Sequence, residues 1–327
     1  MEDDDMTDIP FFTSEKIADG SYKIKNGFTS GFDTLAYLVE GSNYALLIDT
    51  ILGFGDLNAY CRTLTDKPVK VVNTHAHWDH IGGNFHFDAC YMPVRDIKYF
   101  QECIGYSKED IFEAARNSAK DEYKDMLVLD ENFAGTHPIK VFPIDDGDVF
   151  DLGDRRIEVV AVGGHTPGSI VLIDDKTRIC YSGDACNGNT LIEFDNSLPV
   201  SIYLENLKRL KTFASRFDMM YGGHEIFDSS IIDEGIETAS RVVAGTDDKC
   251  EETGITGNII CYAARKNEDG NGRADGKRFN MSYDPSRITG EDLRKQVIRG
   301  SGCSGCAGWA DCFDCTDFTG CAGVNQQ

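Results

Sequence analysis

Four side chains of types that commonly bind metal ions stand within six residues of this chain. The segment His75-Ala-His77-Trp-Asp79-His80 supplies three imidazoles and one carboxylate. This set of nitrogen and oxygen donors suits Zn²⁺, and also Mn²⁺ or Fe²⁺. The whole chain has seven histidines, so three of them in one short segment argue against an ordinary polar loop. The segment therefore predicts a metal site.

The elements before and after this segment predict how it is positioned. Val69-Lys-Val-Val72 is a compact apolar run that predicts a buried strand directly before it. Alternate residues of an extended chain point to the same side, so we expect His75 and His77 to face one cavity. A turn would then bring Asp79 and His80 to the other side of that cavity.

Three later segments complete a pattern that resembles one family. They are Gly164-His165-Thr-Pro-Gly168, Ser182-Gly183-Asp184 and Gly222-Gly223-His224, each after a predicted strand. The histidine-rich segment, followed by Ile81-Gly-Gly83, closely resembles the HxHxDH signature of the metallo-β-lactamase-fold hydrolase superfamily. The three later segments resemble the later ligand motifs of the same superfamily. The resemblance covers roughly residues 15–285. It implies an α/β fold of the α+β type, the four-layer αββα metallo-β-lactamase sandwich, with the site at one edge of two sheets.

The resemblance also implies a role for each residue. A first metal ion would be held by His75, His77 and His165, and a second by Asp79, His80 and His224, with Asp184 bridging them. Two such ions, about 3.5–4 Å apart, lower the pKa of a bound water. The bridging hydroxide would attack the carbonyl of a small ester, thioester, lactone or lactam. Asp79 and Asp184 are thus the candidate catalytic residues, with Asp79 or a metal-bound water protonating the leaving group. We expect zinc, with manganese or iron as alternatives.

The substrate remains open on the sequence alone. The glyoxalase II branch usually has a histidine after the Pro-Gly pair, where this chain has Ser169, and the flavodiiron branch lacks the histidine present here as His77. A phosphodiesterase of the same fold is one alternative. Another is a redox or persulfide-handling enzyme that uses the cysteine-rich tail. One iron ion per chain would favour the redox alternative, whereas two zinc or manganese ions would favour hydrolysis.

The charge of the chain bears on its partners. Among 327 residues, 55 Asp and Glu against 32 Lys and Arg give a net charge of −23. Five carboxylates in the first eight residues and three from Ser301 onward account for eight of these charges, which leaves −15 for the body. Nucleic-acid binders neutralise phosphates with basic side chains. We therefore expect a small-molecule substrate rather than nucleic acid, and this disfavours the nuclease branches of the family.

Two strand-rich blocks, each followed by helical sequence, predict two sheets sandwiched between helices. Residues 93–130 predict a helical insertion, with Ser107 as a helix N-cap. We expect an acidic segment over 1–14 and the hydrolase domain over 15–299. No run approaches the roughly 18 apolar residues of a membrane span. The start Met1-Glu-Asp-Asp-Asp-Met6 lacks the features of a signal peptide, so a cytoplasmic protein without a membrane partner is expected.

A composition break at Gly300 predicts a Gly- and Cys-rich appendage over 300–327, which holds five of the twelve cysteines. They are Cys303, Cys306, Cys312, Cys315 and Cys321. Paired Cys-x2-Cys units hold zinc or an iron–sulfur cluster, so a further metal or cluster is predicted in this tail. Thiol redox chemistry, a protein or peptide partner, and a disordered appendage remain alternatives. Cys186, two residues after Asp184, is expected to be a buried thiol rather than a ligand.

Overall fold

The computed structural model describes residues 10–30, 33–103, 105, 107–133, 135–270 and 272–290. Its first sheet has seven strands that neighbour each other in chain order. The first four run antiparallel, and the fourth to the seventh are joined in parallel. These strands are β1 (Phe12–Ala18), β2 (Ser21–Asn26), β3 (Leu35–Glu40), β4 (Ala45–Ile48), β5 (Val69–Val72), β6 (Ala89–Pro93) and β7 (Lys140–Ile144).

A second sheet of six strands comes from the following part of the chain, in the order β14-β13-β11-β10-β9-β8. Its strands are β8 (Val149–Asp151), β9 (Arg156–Ala161), β10 (Ile170–Asp174), β11 (Ile179–Gly183), β13 (Met219–Gly222) and β14 (Ile226–Asp228). A third sheet of four strands has the order β12-β17-β16-β15. It consists of β12 (Asn189–Ile192), β15 (Cys250–Thr253), β16 (Ile259–Tyr262) and β17 (Asn280–Tyr283).

Helices cover the outer faces of the sheets. The α-helices in the described ranges are α1 (Leu57–Leu64), α2 (Trp78–Ile81), α3 (Ile97–Cys103), α4 (Lys108–Ser118), α5 (Asp121–Lys124), α6 (Leu129–Asn132), α7 (Val200–Lys211) and α8 (Ile231–Ala244). The 3₁₀ turns there span Gly82–His86, Val94–Asp96 and Ala214–Arg216. Among the described residues, none of these helices combines the length and the apolar character needed to cross a bilayer.

Alternation along β3 shows how the layers pack. Tyr37 and Val39 face the second sheet, in a core shared with Val159 and Leu172, whereas Leu38 faces the helices that cover the first sheet. Successive side chains of a strand point to opposite faces, so a strand buried on both sides carries an unbroken apolar run. A third core lies between the second sheet and the helices α7 and α8. The predicted αββα sandwich is therefore confirmed.

A buried ion pair connects the two large sheets. The side chains of Arg155 and Asp174 are both fully buried, with Arg155 Nε 2.9 Å from Asp174 Oδ2. The guanidinium also donates to Ser21 Oγ at 2.6 Å and to the carbonyl oxygens of Gly20 and Glu40 at 3.2 and 3.3 Å. Asp174 ends β10 of the second sheet, and the other three residues belong to the first sheet or its first turn. This guanidinium therefore satisfies polar groups of both sheets.

Two parts of the architecture go beyond the sequence prediction. The third sheet is not indicated by the sequence, because its strands are four residues long and β12 pairs with β17 from far along the chain. Strand β1 starts at Phe12, before the predicted domain start at residue 15. Helices α3 to α6 lie in or next to the range predicted for the helical insertion, and Ser107 is the N-cap of α4, since its Oγ accepts a hydrogen bond from Asp110 N. The predicted boundaries at 14/15 and 299/300 stay predictions.

Candidate metal centre

The seven predicted ligands lie at one edge of the sandwich, where strands of both large sheets end. In parallel neighbours such as β11 and β13, the carboxyl ends reach the same edge of a sheet, so the loops that follow them share one crevice. The ligands follow β5 (His75 and His77), lie on α2 (Asp79 and His80) and follow β9, β11 and β13 (His165, Asp184 and His224). The structure brings all seven side chains together.

Two glycines allow these loops to approach each other. Gly183 has a φ of +47°, and a Cβ there would lie 2.2 Å from Oγ1 of Thr74. A Cβ on Gly223 would lie 2.3 Å from Cε1 of His80 and 2.6 Å from Oδ1 of Asp184. Both positions need a residue without a side chain. This explains in physical terms why a glycine precedes Asp184 and His224.

Three imidazoles form the first ligand group. His75, His77 and His165 each offer one ring nitrogen, and these atoms lie within 4.8 Å of one another. Nδ1 of His77 and Nε2 of His165 are 2.7 Å apart. Burial lowers the pKa of His77 to about 3 and also lowers the pKa of His165. These imidazoles are therefore neutral near pH 7, which is the form that binds a metal ion.

Asp79, His80 and His224 form the second ligand group, again with ligand atoms within 4.8 Å. Asp184 stands between the groups: its Oδ1 is 3.4 Å from Nε2 of His80, and its Oδ2 is 3.5 Å from Nε2 of His165. Burial alone would raise the pKa of Asp184, but the charges of His224 and His80 lower it well below its usual value. Asp184 is thus an ionised carboxylate in contact with both groups.

Several of the ligand atoms are buried and have no hydrogen-bond partner among the residues that the structure describes. They include Nε2 of His75, Nε2 of His80 and Oδ1 of Asp184. Buried polar atoms are normally paired, and an unpaired one costs about 1–3 kcal/mol. Divalent cations held by the two ligand groups would take up these lone pairs, and imidazole with carboxylate is a donor set that zinc, manganese and iron accept. The residues therefore fit the metal that the motifs imply.

Hydrogen bonds on the outer side of the rings hold them in place. Nδ1 of His165 lies 2.7 Å from the carbonyl oxygen of Leu191, and Nδ1 of His224 lies 2.7 Å from the carbonyl oxygen of Asp33. A carbonyl accepts, so each Nδ1 carries the proton. In the neutral ring, the form that binds a metal ion, the lone pair of Nε2 then faces the cavity, the arrangement in which a histidine ligand is oriented by its second nitrogen.

Asp49 is a site residue that the motifs do not mark. It follows β4, accepts hydrogen bonds from N and Oγ1 of Thr74 at 2.7 and 2.8 Å, and lies 2.9 Å from Nδ1 of His80. Its φ of 60° lies in the left-handed region. The one available signal is its position directly after the apolar strand β4, since His165 and His224 also come within a few residues of a strand end.

We expect Asp49→Asn to weaken metal affinity by about 10- to 100-fold, the usual effect of losing a group that orients a ligand. Asparagine tolerates a positive φ, so the backbone can stay in place. Its amide nitrogen would face the donors of Thr74 and His80, and the His80 ring would lose its acceptor. Competition with a chelator at fixed pH measures the affinity. An affinity equal to that of the unchanged protein would contradict the positioning role.

A second unmarked acid connects two ligand-bearing loops. The carboxylate of Asp96 accepts hydrogen bonds from Ala76 N at 3.0 Å, Thr166 Oγ1 at 2.7 Å and Gly168 N at 2.7 Å. Burial raises its pKa to about 6. Asp96 thus connects the His75–His80 segment by hydrogen bonds to the turn that carries His165. The sequence shows that Asp96 is acidic but does not show these contacts.

No cysteine of the described residues belongs to a ligand group, although Cys103 Sγ lies 3.3 Å from the carbonyl oxygen of Ala76, between His75 and His77. Cys186 is 1% exposed and packs in the apolar core under α7 and α8, outside the ligand groups formed by described residues. Burial raises the pKa of its thiol. The tail cysteines, Cys303, Cys306, Cys312, Cys315 and Cys321, lie outside the described residues, so the predicted tail metal stays a prediction.

The fold and the edge cluster together define a class of protein: a four-layer αββα sandwich that gathers imidazoles and carboxylates around a cavity fit for metal ions. Comparison with known families gives the same class. Residues 29–224 match the family model described as the metallo-beta-lactamase superfamily. The chain belongs to that superfamily.

Several relatives and solved structures are similar to this chain. The acyl-coenzyme A thioesterase MBLAC2 of Bos taurus is 29% identical over 64% of this chain and 79% of its own length. A hydroxyacylglutathione hydrolase of Prochlorococcus marinus is 27% identical over 49% of this chain and 53% of its own length. A beta-lactamase domain protein from Burkholderia ambifaria superposes with a TM-score of 0.53 at 17% identity, over 74% of this chain and 80% of its own. This last likeness concerns the fold alone.

Proposed function

We propose that the protein is a metal-dependent hydrolase of thioesters, with two divalent ions in its centre and zinc as the first candidate. One observation carries the proposal of two ions: Asp184 lies between two separate ligand groups and contacts both. When bound, such ions lower the pKa of a water molecule and polarise the substrate carbonyl. Hydrolysis is the reaction that uses both effects.

The residues of this chain have distinct tasks in the proposed reaction. Asp184 fixes the two ligand groups relative to each other, and its side chain is 9% exposed. The side chain of Asp79 is 30% exposed, so it is the carboxylate nearer the opening. We assign Oδ2 of Asp79 as the atom that carries a proton towards the leaving group. His224, 24% exposed and 3.4 Å from that oxygen, shares this open side.

The relatives support a thioester among the candidate substrates. Two of them are named for the hydrolysis of acyl groups carried by thiol compounds, coenzyme A and glutathione. A thiol has a pKa of about 8.5, so its thiolate leaves with little help from an acid. The net charge of the body gives further support to a small substrate over a nucleic acid. Lactones and lactams are the next candidates.

A metal analysis followed by a substrate screen tests the proposal. We expect two divalent ions per chain, and a kcat/KM for acyl thioesters at least about 100-fold above that for matched oxygen esters, lactones and phosphodiesters, a difference of roughly 3 kcal/mol in the barrier. His137→Ala is the matched control, because His137 is exposed and lies outside the ligand groups. Turnover of phosphodiesters alone, or a single iron ion per chain, would contradict the proposal.

A further inference from the structure

An apolar pocket of 340 Å³ lies beside the metal centre. Its apolar lining consists of Leu52, Trp78, Ile111, Ala114 and Ala115, and Asp110 and Ser118 of α4 complete it. We call this cavity the α4 pocket, since five of these seven residues belong to that helix. Its volume falls within the range of about 300–1,000 Å³ that is typical of small-molecule sites.

Trp78, which lines the α4 pocket, connects it to the metal centre along the chain. This residue stands between two candidate ligands, His77 and Asp79, so its ring is anchored to the loop that carries them. Its indole is held 6.2 Å from the ring of Phe85 and 5.9 Å from the ring of Phe133. The wall of the α4 pocket that Trp78 forms is therefore a fixed side chain.

The opposite wall is also attached to the centre. Leu52 belongs to the loop after β4, and a Cβ added to Gly82 would lie 2.4 Å from the carbonyl carbon of Leu52. Gly82 follows α2, which carries Asp79 and His80. The two lining residues outside α4, Leu52 and Trp78, thus belong to segments that contact or carry the candidate ligands.

Trp78 also carries a polar atom that has no hydrogen-bond partner among the described residues. Nε1 of Trp78 is buried, and the described residues provide it with no hydrogen-bond acceptor. An indole N–H only donates, and a buried donor normally has an acceptor. The carbonyl of a ligand beside Trp78 would supply one. An apolar cavity that ends at an available donor suits a chain with a carbonyl at one end.

We propose that the α4 pocket holds the acyl chain of the substrate, so that the enzyme prefers thioesters of apolar, medium-length acyl groups. This inference rests on the proposed thioester hydrolysis. A methylene group is about the size of a water molecule, which occupies about 30 Å³ in the liquid. The α4 pocket, with 340 Å³, therefore holds at most roughly ten methylene groups. A methylene that leaves water for an apolar site raises kcat/KM about fourfold. Selectivity for chain length therefore follows from the size of the cavity.

Chain-length profiles of two variants on the same helix test the proposal. Ala114→Phe fills the α4 pocket from an exposed position, and Asn117→Phe adds the same ring at an exposed position that does not line it. With acyl-coenzyme A thioesters from acetyl to hexadecanoyl, we expect wild-type kcat/KM to rise up to roughly ten carbons and then level off. Ala114→Phe should lose about 10- to 100-fold on decanoyl thioester and stay within about twofold on acetyl thioester. Asn117→Phe should match the wild type.

A binding measurement gives a readout that needs no turnover. The chain has two tryptophans, Trp78 and Trp309, so in a Trp309→Phe background Trp78 is the only fluorescent indole. We expect decanoate to shift its emission, and Ala114→Phe but not Asn117→Phe to abolish that shift. Hydrolysis of all chain lengths at one rate, unaffected by Ala114→Phe, would overturn the pocket assignment and leave the thioesterase proposal intact. Hydrolysis of no thioester would overturn both.

Discussion

Replacing Asp184 with alanine should empty the centre and abolish hydrolysis. The side chain contacts both ligand groups, with oxygens 3.4 Å from Nε2 of His80 and 3.5 Å from Nε2 of His165. Without it, two sets of imidazoles face each other with no intervening negative charge. We expect the metal content to fall below one ion per chain. Turnover should drop by at least about 1,000-fold, since activating water and stabilising charge are worth several kcal/mol.

A second ligand variant and a histidine control make this result specific. His77→Ala should remove an ion from the first group, because His77 supplies one of its three nitrogens. His137→Ala should leave both metal content and turnover at the wild-type level. Elemental analysis by mass spectrometry and the thioester assay are the measurements. Undiminished turnover in both ligand variants would show that the seven-residue cluster does not carry the chemistry.

The largest effect on stability is expected at Arg155. Arg155→Met leaves the carboxylate of Asp174 buried and unpaired, and it leaves the carbonyl oxygens of Gly20 and Glu40 without this donor. Breaking a buried ion pair in this way costs about 3–5 kcal/mol, a large fraction of the 5–15 kcal/mol by which a typical domain is stable. Urea unfolding, followed by circular dichroism, measures the change in the free energy of unfolding.

A double variant separates the contribution of the ion pair to stability from that of the carbonyl contacts, and a surface variant serves as its control. Arg155→Met with Asp174→Leu removes both charges, so we expect it to regain part of the lost stability. It should not regain all of it, because the backbone carbonyls still lack their donor. Asp218→Asn is the matched control: its partner Arg178 is 47% exposed, and its unfolding curve should overlay the wild type. Equal stability of Arg155→Met and wild type would refute the assigned role.

The sequence indicates which seven side chains the fold gathers, because they combine distinctive chemical types with positions that follow strands. His165 and His224 are recognisable from the glycines beside them, and these glycines also have a steric reason, as Gly223 shows by its contact with His80. Strand ends at one sheet edge bring such residues together whatever the details of the core. The gathering of the seven side chains therefore follows from local patterns, while the ions they would hold remain the proposal.

Residues that act through tertiary contacts leave no such pattern. Asp49 and Asp96 look like ordinary acids until the fold places them against Thr74 and Ala76. Strand β1 has no buried face over most of its length, so hydrophobic alternation cannot reveal it. The α4 pocket depends on the distance between α4 and Trp78. No repeating pattern of residues in the sequence predicts that distance.

The order in which the chain supplies its ligands has a consequence for biosynthesis. A protein is made from its N-terminus, so the histidine-rich segment emerges first, the first ligand group is complete only with His165, and the second only with His224. A finished centre therefore belongs to a chain in which the whole first sheet, and every strand of the second sheet except β14, has been synthesised. An ion bound there joins segments that are far apart in the chain. Because its ligands are together only in the native state, the ion stabilises that state by mass action.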